Sequence, residues 1–224
     1  MKILNFAEIG LNYLGNDKFL DIFLEKLSID EIDGISIQVL DDGFYKGKYK
    51  KFRLSDKKII QIINQIKKKD KLVGIVTNNK KRLNFLKGLK VDFYKVLSTD
   101  ILNISLIKEL IKSNCRMVFL STGMIDYKNL KNVLSKFNNR KISLIHTSFK
   151  KNKDDINLSR ISILKRKYNL PVSYGNHSRC LKSLIFVKKF KPQAIFFYVK
   201  LKKKLKYPDN LHAIRIDKLK NYIC

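Results

Sequence analysis

The chain carries its reactive side chains in small groups, each placed where an apolar run ends. AEIGLN brings Glu8 and Asn12, and YKVLSTD brings Lys95, Ser98, Thr99 and Asp100. LSTG adds Ser121, Thr122 and Gly123; LIHTS adds His146, Thr147 and Ser148; YGNHS adds Asn176, His177 and Ser178. A lysine among hydroxyls suits a phosphate, because the ammonium supplies charge and the hydroxyls donate hydrogen bonds. Carboxylates can hold sugar hydroxyls or move a proton. A histidine with a second ligand can hold a divalent metal. Plainer readings stand beside these. Ser121, Thr122 and Asp100 each precede a helical segment and suit helix caps, and a single His177 suits a structural role. Lys95 lies between Tyr94 and Val96, which call for burial, so a solvent-facing role does not suit it.

Such groups work together only if the fold gathers them. Strand-length apolar runs recur eight times: ILNFAEIGL, GISIQVL, LVGIVTN, DFYKVLS, RMVFLST, KISLIHTS, PVSYGNHS and AIFFYVKL. Segments with helical spacing lie between them. FLDIFLEKL places Phe19, Ile22, Phe23 and Leu27 on one face. LSDKKIIQIINQIKKK opens with Ser55 as its cap residue and repeats Ile59, Ile60, Ile63 and Ile66. KRLNFLKGL, NISLIKELIKS, DYKNLKNVLSKF, LSRISILKRKY and CLKSLIFVKKF continue the pattern, and HAIRIDKLKNYI closes the chain as a last amphipathic segment. Strands apolar almost throughout, alternating with helices, imply a parallel sheet covered by helices. Eight repeats imply an α/β fold of the (β/α)8 TIM-barrel type, a single domain over residues 1–224. In that fold the polar groups converge on the mouth formed by the C-terminal strand ends. Neither GxGxxG after the first strand nor GxxxxGK[ST] occurs, which argues against dinucleotide and P-loop sites.

Composition narrows the class further. No apolar run approaches the roughly 20 residues that span a bilayer, and Glu8 interrupts the N-terminal apolar stretch before a signal sequence could form. Cys115, Cys180 and Cys224 are far apart, as expected of reduced thiols in a cytoplasmic protein without a zinc site. The formal net charge of +29 invites a polyanion-binding reading. Of 48 basic residues, however, eight are Arg, and the lysines are spread along the whole chain rather than gathered in one arm. Abundant Lys, Ile, Asn and Phe match AT-rich codon usage, so nucleic acid is not the expected partner. A positive field still favours the arrival of an anionic substrate.

The ordered set AEIGLNYLGN, ISIQ, DFYKVLSTDILN, VFLSTGM, SLIHTS, DDINLSRI, VSYGNHS and YPDNLHAI resembles the N-terminal barrel of the sialic acid synthases, from about residue 7 to about residue 214. That family condenses phosphoenolpyruvate with an N-acetylhexosamine. The resemblance implies that Lys95, Ser98 and Ser121 grip phosphoenolpyruvate, and that Glu8, Asp100 and Asp209 contact the amino sugar, with Glu8 and Asp100 in catalytic roles. It implies a divalent metal, Mn or Mg, with His177 as a ligand. It also implies a homodimer, or a separate antifreeze-like domain protein, as the partner.

The sequence departs from the family pattern at several of these places. Ser36 stands where the family has a lysine, and Phe196 and Tyr198 stand where it has a sugar-contacting acid and the second metal histidine. Gly175 and Asn176 replace a hydroxyl and an acid before His177, PDN replaces a PDH-like motif, and Phe149 to Lys151 replace the usual YP. Because the chain stops at Cys224, the family's C-terminal antifreeze-like domain is expected to be absent. Two readings follow: a working synthase, and a catalytically inactive paralogue that binds a phosphorylated ligand or a partner subunit.

Overall fold

Eight parallel strands close on themselves. The computed structural model describes residues 2–137, 141–148, 156–201 and 205–223. The strands are β1 (Leu4–Glu8), β2 (Gly34–Gln38), β3 (Leu72–Val76), β4 (Phe93–Val96), β5 (Met117–Ser121), β6 (Ile142–Thr147), β7 (Val172–Asn176) and β8 (Ala194–Lys200). Each pairs with the next, and β1 pairs with β8 from Leu4↔Ala194 to Glu8↔Tyr198, which shuts the ring. The helices are α1 (Asp17–Lys26), α2 (Asp56–Lys67), α3 (Leu83–Gly88), α4 (Ile104–Ile111), α5 (Tyr127–Leu134), α6 (Arg160–Tyr168), α7 (Ser183–Phe186) and α8 (Lys220–Ile223). This is a TIM barrel, as the alternation of apolar runs and helical segments implied.

Side-chain caps start α1, α2, α4 and α5. Asn16, the last residue of AEIGLNYLGN, accepts hydrogen bonds from the Lys18 and Phe19 amides and caps α1. Ser55 caps α2 as expected, accepting from the Lys58 amide at 3.2 Å. The caps of α4 and α5 are Asn103 and Asp126, not Asp100 or the Ser121–Thr122 pair. Ser121 is still in strand β5, and the Thr122 hydroxyl donates to the Ile145 carbonyl at 3.0 Å. On α2 the buried face is Ile59, Ile62, Ile63 and Ile66, whereas Ile60 points outward and is 43% exposed. The closing segment also differs from expectation: Ile214–Arg215 forms a short ninth strand, β9, parallel to β8 at Val199 and Lys200, before the chain turns into α8. β-Branched Ile214 suits an extended pairing position, and helical periodicity over so short a stretch could not distinguish the two.

Two apolar layers hold the barrel. The larger lies between the strands and the surrounding helices. The smaller fills the barrel axis with Phe6, Phe93, Phe119 and Phe196, plus Ile145 and Ala194. Phe6 and Phe93 stack with ring centres 4.5 Å apart, and Phe119 meets Phe196 edge-on at 4.9 Å. Residues without bulk on neighbouring strands make room for these rings. A Cβ at Gly74 would lie 2.1 Å from the Phe93 ring. The aromatic plug seals the lower end of the barrel, so any polar chemistry is confined to the upper end. Cys115 and Cys180 are free thiols, while Cys224, Phe149 to Lys151 and Asp154 and Asp155 of DDINLSRI lie outside the described residues. No helix among the described residues is long and apolar enough to cross a membrane.

Candidate active site

Directly above the aromatic plug, Lys95 meets Glu8. The period-two alternation of a strand points Lys95 into the barrel from β4, on the same side as Phe93, and points Glu8 inward from the end of β1, on the same side as Phe6. The Lys95 Nζ donates to both carboxylate oxygens of Glu8, at 2.6 and 2.7 Å, and both side chains are only 3% exposed. An ammonium and a carboxylate this far from water persist because each satisfies the other. The Phe196 ring lies beneath the ammonium, its centre 5.1 Å from Nζ. Phe196 therefore belongs to the floor of the site. Ser36, opposite Glu8 on β2, is fully buried and its hydroxyl has no hydrogen-bond partner.

A cleft of about 190 Å³ opens beside this pair, lined by Lys95, Ser98, Thr99, Ser121, Thr147 and His177, with Leu97 and Met124 as its apolar wall. It gathers a lysine, four hydroxyls and a histidine from the ends of four strands, β4 to β7. Ser98 is fixed by accepting the Gly123 amide at 3.2 Å. A larger cavity, about 820 Å³, lies outside the barrel between α1 and the C-terminal segment and contains none of the mouth residues. Asp100 is on the rim: it is half-buried, its Oδ2 accepts the Thr99 hydroxyl at 2.8 Å, and it does not line the cleft. His146 is buried away from the cleft, its Nε2 against the Ile156 carbonyl at 2.9 Å, and desolvation lowers its pKa.

The other side of Glu8 holds the second half of the site. Tyr198 pairs with Glu8 across β8 and β1, and burial, with Glu8 and Asp209 nearby, holds its phenol well above the usual tyrosine range. The phenol thus stays protonated. Gly10, with φ of +55°, brings the chain against this ring: a Cβ there would lie 2.6 Å from Tyr198 Cε1 and 3.1 Å from Asp209 Oδ2. Burial and the Glu8 carboxylate push Asp209 up to about 7. Asn12 ties these pieces together, donating to the Val199 carbonyl at 2.8 Å and accepting the Asp209 amide at 3.1 Å.

His212 was not singled out by sequence reasoning, which passed over LHAI as part of a helix. Its ring centre is 4.9 Å from that of His177 and 5.0 Å from that of Tyr198. Desolvation, then the positive charges of Lys200 and Lys95, lowers its pKa to about 4. His177 is driven well below the ordinary histidine value by desolvation first, then by Lys95 and His212. Both rings are therefore neutral at neutral pH, the state a metal ligand requires. Among the described residues no three His, Cys, Asp or Glu side chains are grouped to hold a metal ion. The site does offer a pair of neutral imidazoles, and the Nε2 of His212 is buried with no hydrogen-bond partner. An orphaned nitrogen beside a second imidazole fits a cation that draws its other ligands from substrate or water.

A family model described as the NeuB family matches residues 38–223. The chain belongs to the NeuB family. Across its full length it superimposes on 82% of the N-acetylneuraminic acid (sialic acid) synthetase of Leptospira borgpetersenii serovar Hardjo-bovis, solved with citrate, with a TM-score of 0.89 and 25% identity. A putative spore coat polysaccharide biosynthesis protein E from Chromobacterium violaceum shares the fold, with a TM-score of 0.87 at 15% identity over 99% of this chain and 73% of that one. An uncharacterized protein of Methanocaldococcus jannaschii is 26% identical over 223 residues, 94% of this chain and 65% of the relative. The chain thus spans just under two thirds of that curated relative.

Proposed function

We propose that the protein binds phosphoenolpyruvate and an N-acetylated hexosamine at the barrel mouth and joins them, as a synthase of nonulosonic (sialic-type) acids. The observation that carries this reading is the Lys95 ammonium at the cleft wall with Ser98, Ser121 and Thr147 beside it. The cluster suits a small anion with both a phosphate and a carboxylate. Such a ligand would compete with Glu8 for Lys95, so its arrival releases a carboxylate next to the sugar.

In the reaction, C3 of phosphoenolpyruvate bonds to the sugar aldehyde carbon, whose oxygen takes up a proton. Water adds to the cation left at C2, giving up a proton, and the C–O bond to phosphate then breaks as the new hydroxyl passes its proton to the departing phosphate, leaving a ketone. Glu8 is placed to accept a proton once Lys95 turns to the anion, and Asp209, with its raised pKa, to donate one. Asp100, on the rim, would meet the far end of the sugar. A divalent cation bound beside His177 would supply Lewis acidity at the aldehyde oxygen.

A specific observation favours the second reading, a paralogue that binds without turnover. Phe196 occupies the floor under Lys95 and Tyr198 presents only a neutral phenol, so neither supplies an acid or an imidazole. Calorimetry with phosphoenolpyruvate, followed by phosphate release with N-acetylmannosamine and related sugars, separates the two. Binding that is lost in Lys95→Ala, together with sugar-dependent phosphate release, is the expected result. Binding without release across the sugars leaves the paralogue reading; absence of binding removes both.

A further inference from the structure

We infer that His212 is a metal-ligating residue that forms, with His177, a two-imidazole site for a divalent transition ion at the barrel mouth. This deepens the reading above by naming the side chain that would hold the cation for that reaction, and it rests on that reading only for its purpose.

The ring spacing matches that of two ligands sharing one ion. Imidazoles bound through bonds of about 2.0–2.1 Å at tetrahedral angles place their ring centres about 5 Å apart. Those of His177 and His212 are 4.9 Å apart, with ring planes at 42°. The Nε2 of His212 is buried and makes no hydrogen bond, which leaves a nitrogen in need of a partner. Asp209 Oδ1 lies 3.6 Å from that nitrogen. This is too long for a hydrogen bond and slightly wider than the roughly 3.0–3.4 Å between neighbouring donors on one ion. Asp209 is thus placed to offset the ion's charge and orient His212, and the protein ligands proper are the two histidines.

The loop that carries His212 is built rather than incidental. The His212 amide donates to the Asp209 carbonyl at 3.2 Å, and Asn176 Nδ2, one residue before His177, donates to the His212 carbonyl at 3.4 Å. Asn12 holds the Asp209 amide. The His212 loop is thus tied to the end of β7 through Asn176 and to the turn after β1 through Asn12. Tyr198 stands edge-on behind the pair, 5.5 Å from His177 and 5.0 Å from His212 between ring centres, and closes that side. The two cations that face the pair are Lys95, already neutralised by Glu8, and Lys200, which is turned to the Asn210 carbonyl at 2.7 Å. Open positions remain for oxygen ligands from a substrate or water.

The test is titration of untagged protein with Co²⁺, read by its visible ligand-field bands and by calorimetry. The wild type is expected to take up one ion per chain with bands of nitrogen ligation. His212→Ala and His177→Ala are each expected to weaken uptake by at least about tenfold, with circular dichroism and thermal unfolding unchanged. If His212→Ala misfolds, His212→Asn, closer in size and polarity, gives the same reading. Wild-type uptake absent at millimolar Co²⁺, or His212 variants that bind as tightly as the wild type, would overturn the inference. Phosphoenolpyruvate binding measured without metal keeps the parent reading separate. Its presence with no Co²⁺ uptake defeats the metal site alone. Uptake that needs His212, without phosphoenolpyruvate binding, upholds the metal site and removes the synthase reading.

Discussion

Replacing Lys95 by methionine is the most demanding test of the site. The substitution keeps the length and apolar stem of the side chain and removes the ammonium. Glu8 then keeps its burial, at 3% side-chain exposure, and loses the donor to both its oxygens. Removing one partner from a buried pair costs about 3–5 kcal/mol, because the remaining charge is uncompensated. Against a total stability on the order of 5–15 kcal/mol, that is a large fraction. Glu8→Gln is expected to destabilise for the converse reason, leaving an ammonium above the Phe196 ring. The double variant Glu8→Gln/Lys95→Met should cost less than the sum of the two, since no lone charge remains. Urea unfolding followed by circular dichroism measures all four proteins, with the denaturant slope as a check on two-state behaviour. Lys2 and Asp33 provide a control: they meet at the same 2.6 Å, but Lys2 is 71% exposed, and Lys2→Met should change stability too little to measure. If Lys95→Met loses less than about 1 kcal/mol, the pair behaves as a solvated surface bridge. The barrel interior then does not enforce it.

Two further outcomes follow from the packing of Gly74 and the burial of His146. Gly74→Ala should destabilise by about 1–3 kcal/mol in urea unfolding, because its methyl would meet the Phe93 ring at 2.1 Å; Phe93→Leu in the same chain should return part of the loss. His146 has a lowered pKa in the folded protein, chiefly from desolvation, so the unfolded chain binds its proton first as pH falls. Its contribution is complete above the unfolded value near about 6.5 and is lost as pH falls from there through the folded pKa. His146→Asn should flatten the fall in thermal stability below pH 6.5, and an unchanged slope would exclude it as a source.

The order of elements was readable from the chain because apolar periodicity is a local property. Eight apolar runs became eight strands, Ser55 capped its helix, and the alternation of Phe93 with Lys95 already pointed both to one side of a strand. What the sequence left open was which distant groups meet. Glu8 and Lys95 are 87 residues apart in the chain, and ring closure, set by the β1–β8 pairing, makes them partners. Phe196 and Tyr198 read only as departures from a family pattern, until packing put one in the floor and the other between Glu8 and His212. His212 carried no signal, because it follows a turn and precedes a two-residue strand too short to leave a period. Composition and spacing determined the barrel and the kinds of groups at its mouth. Only long-range closure decided that one carboxylate would take the lysine and that two histidines 35 residues apart would share a face, because contact across a barrel depends on strand register that no local stretch encodes.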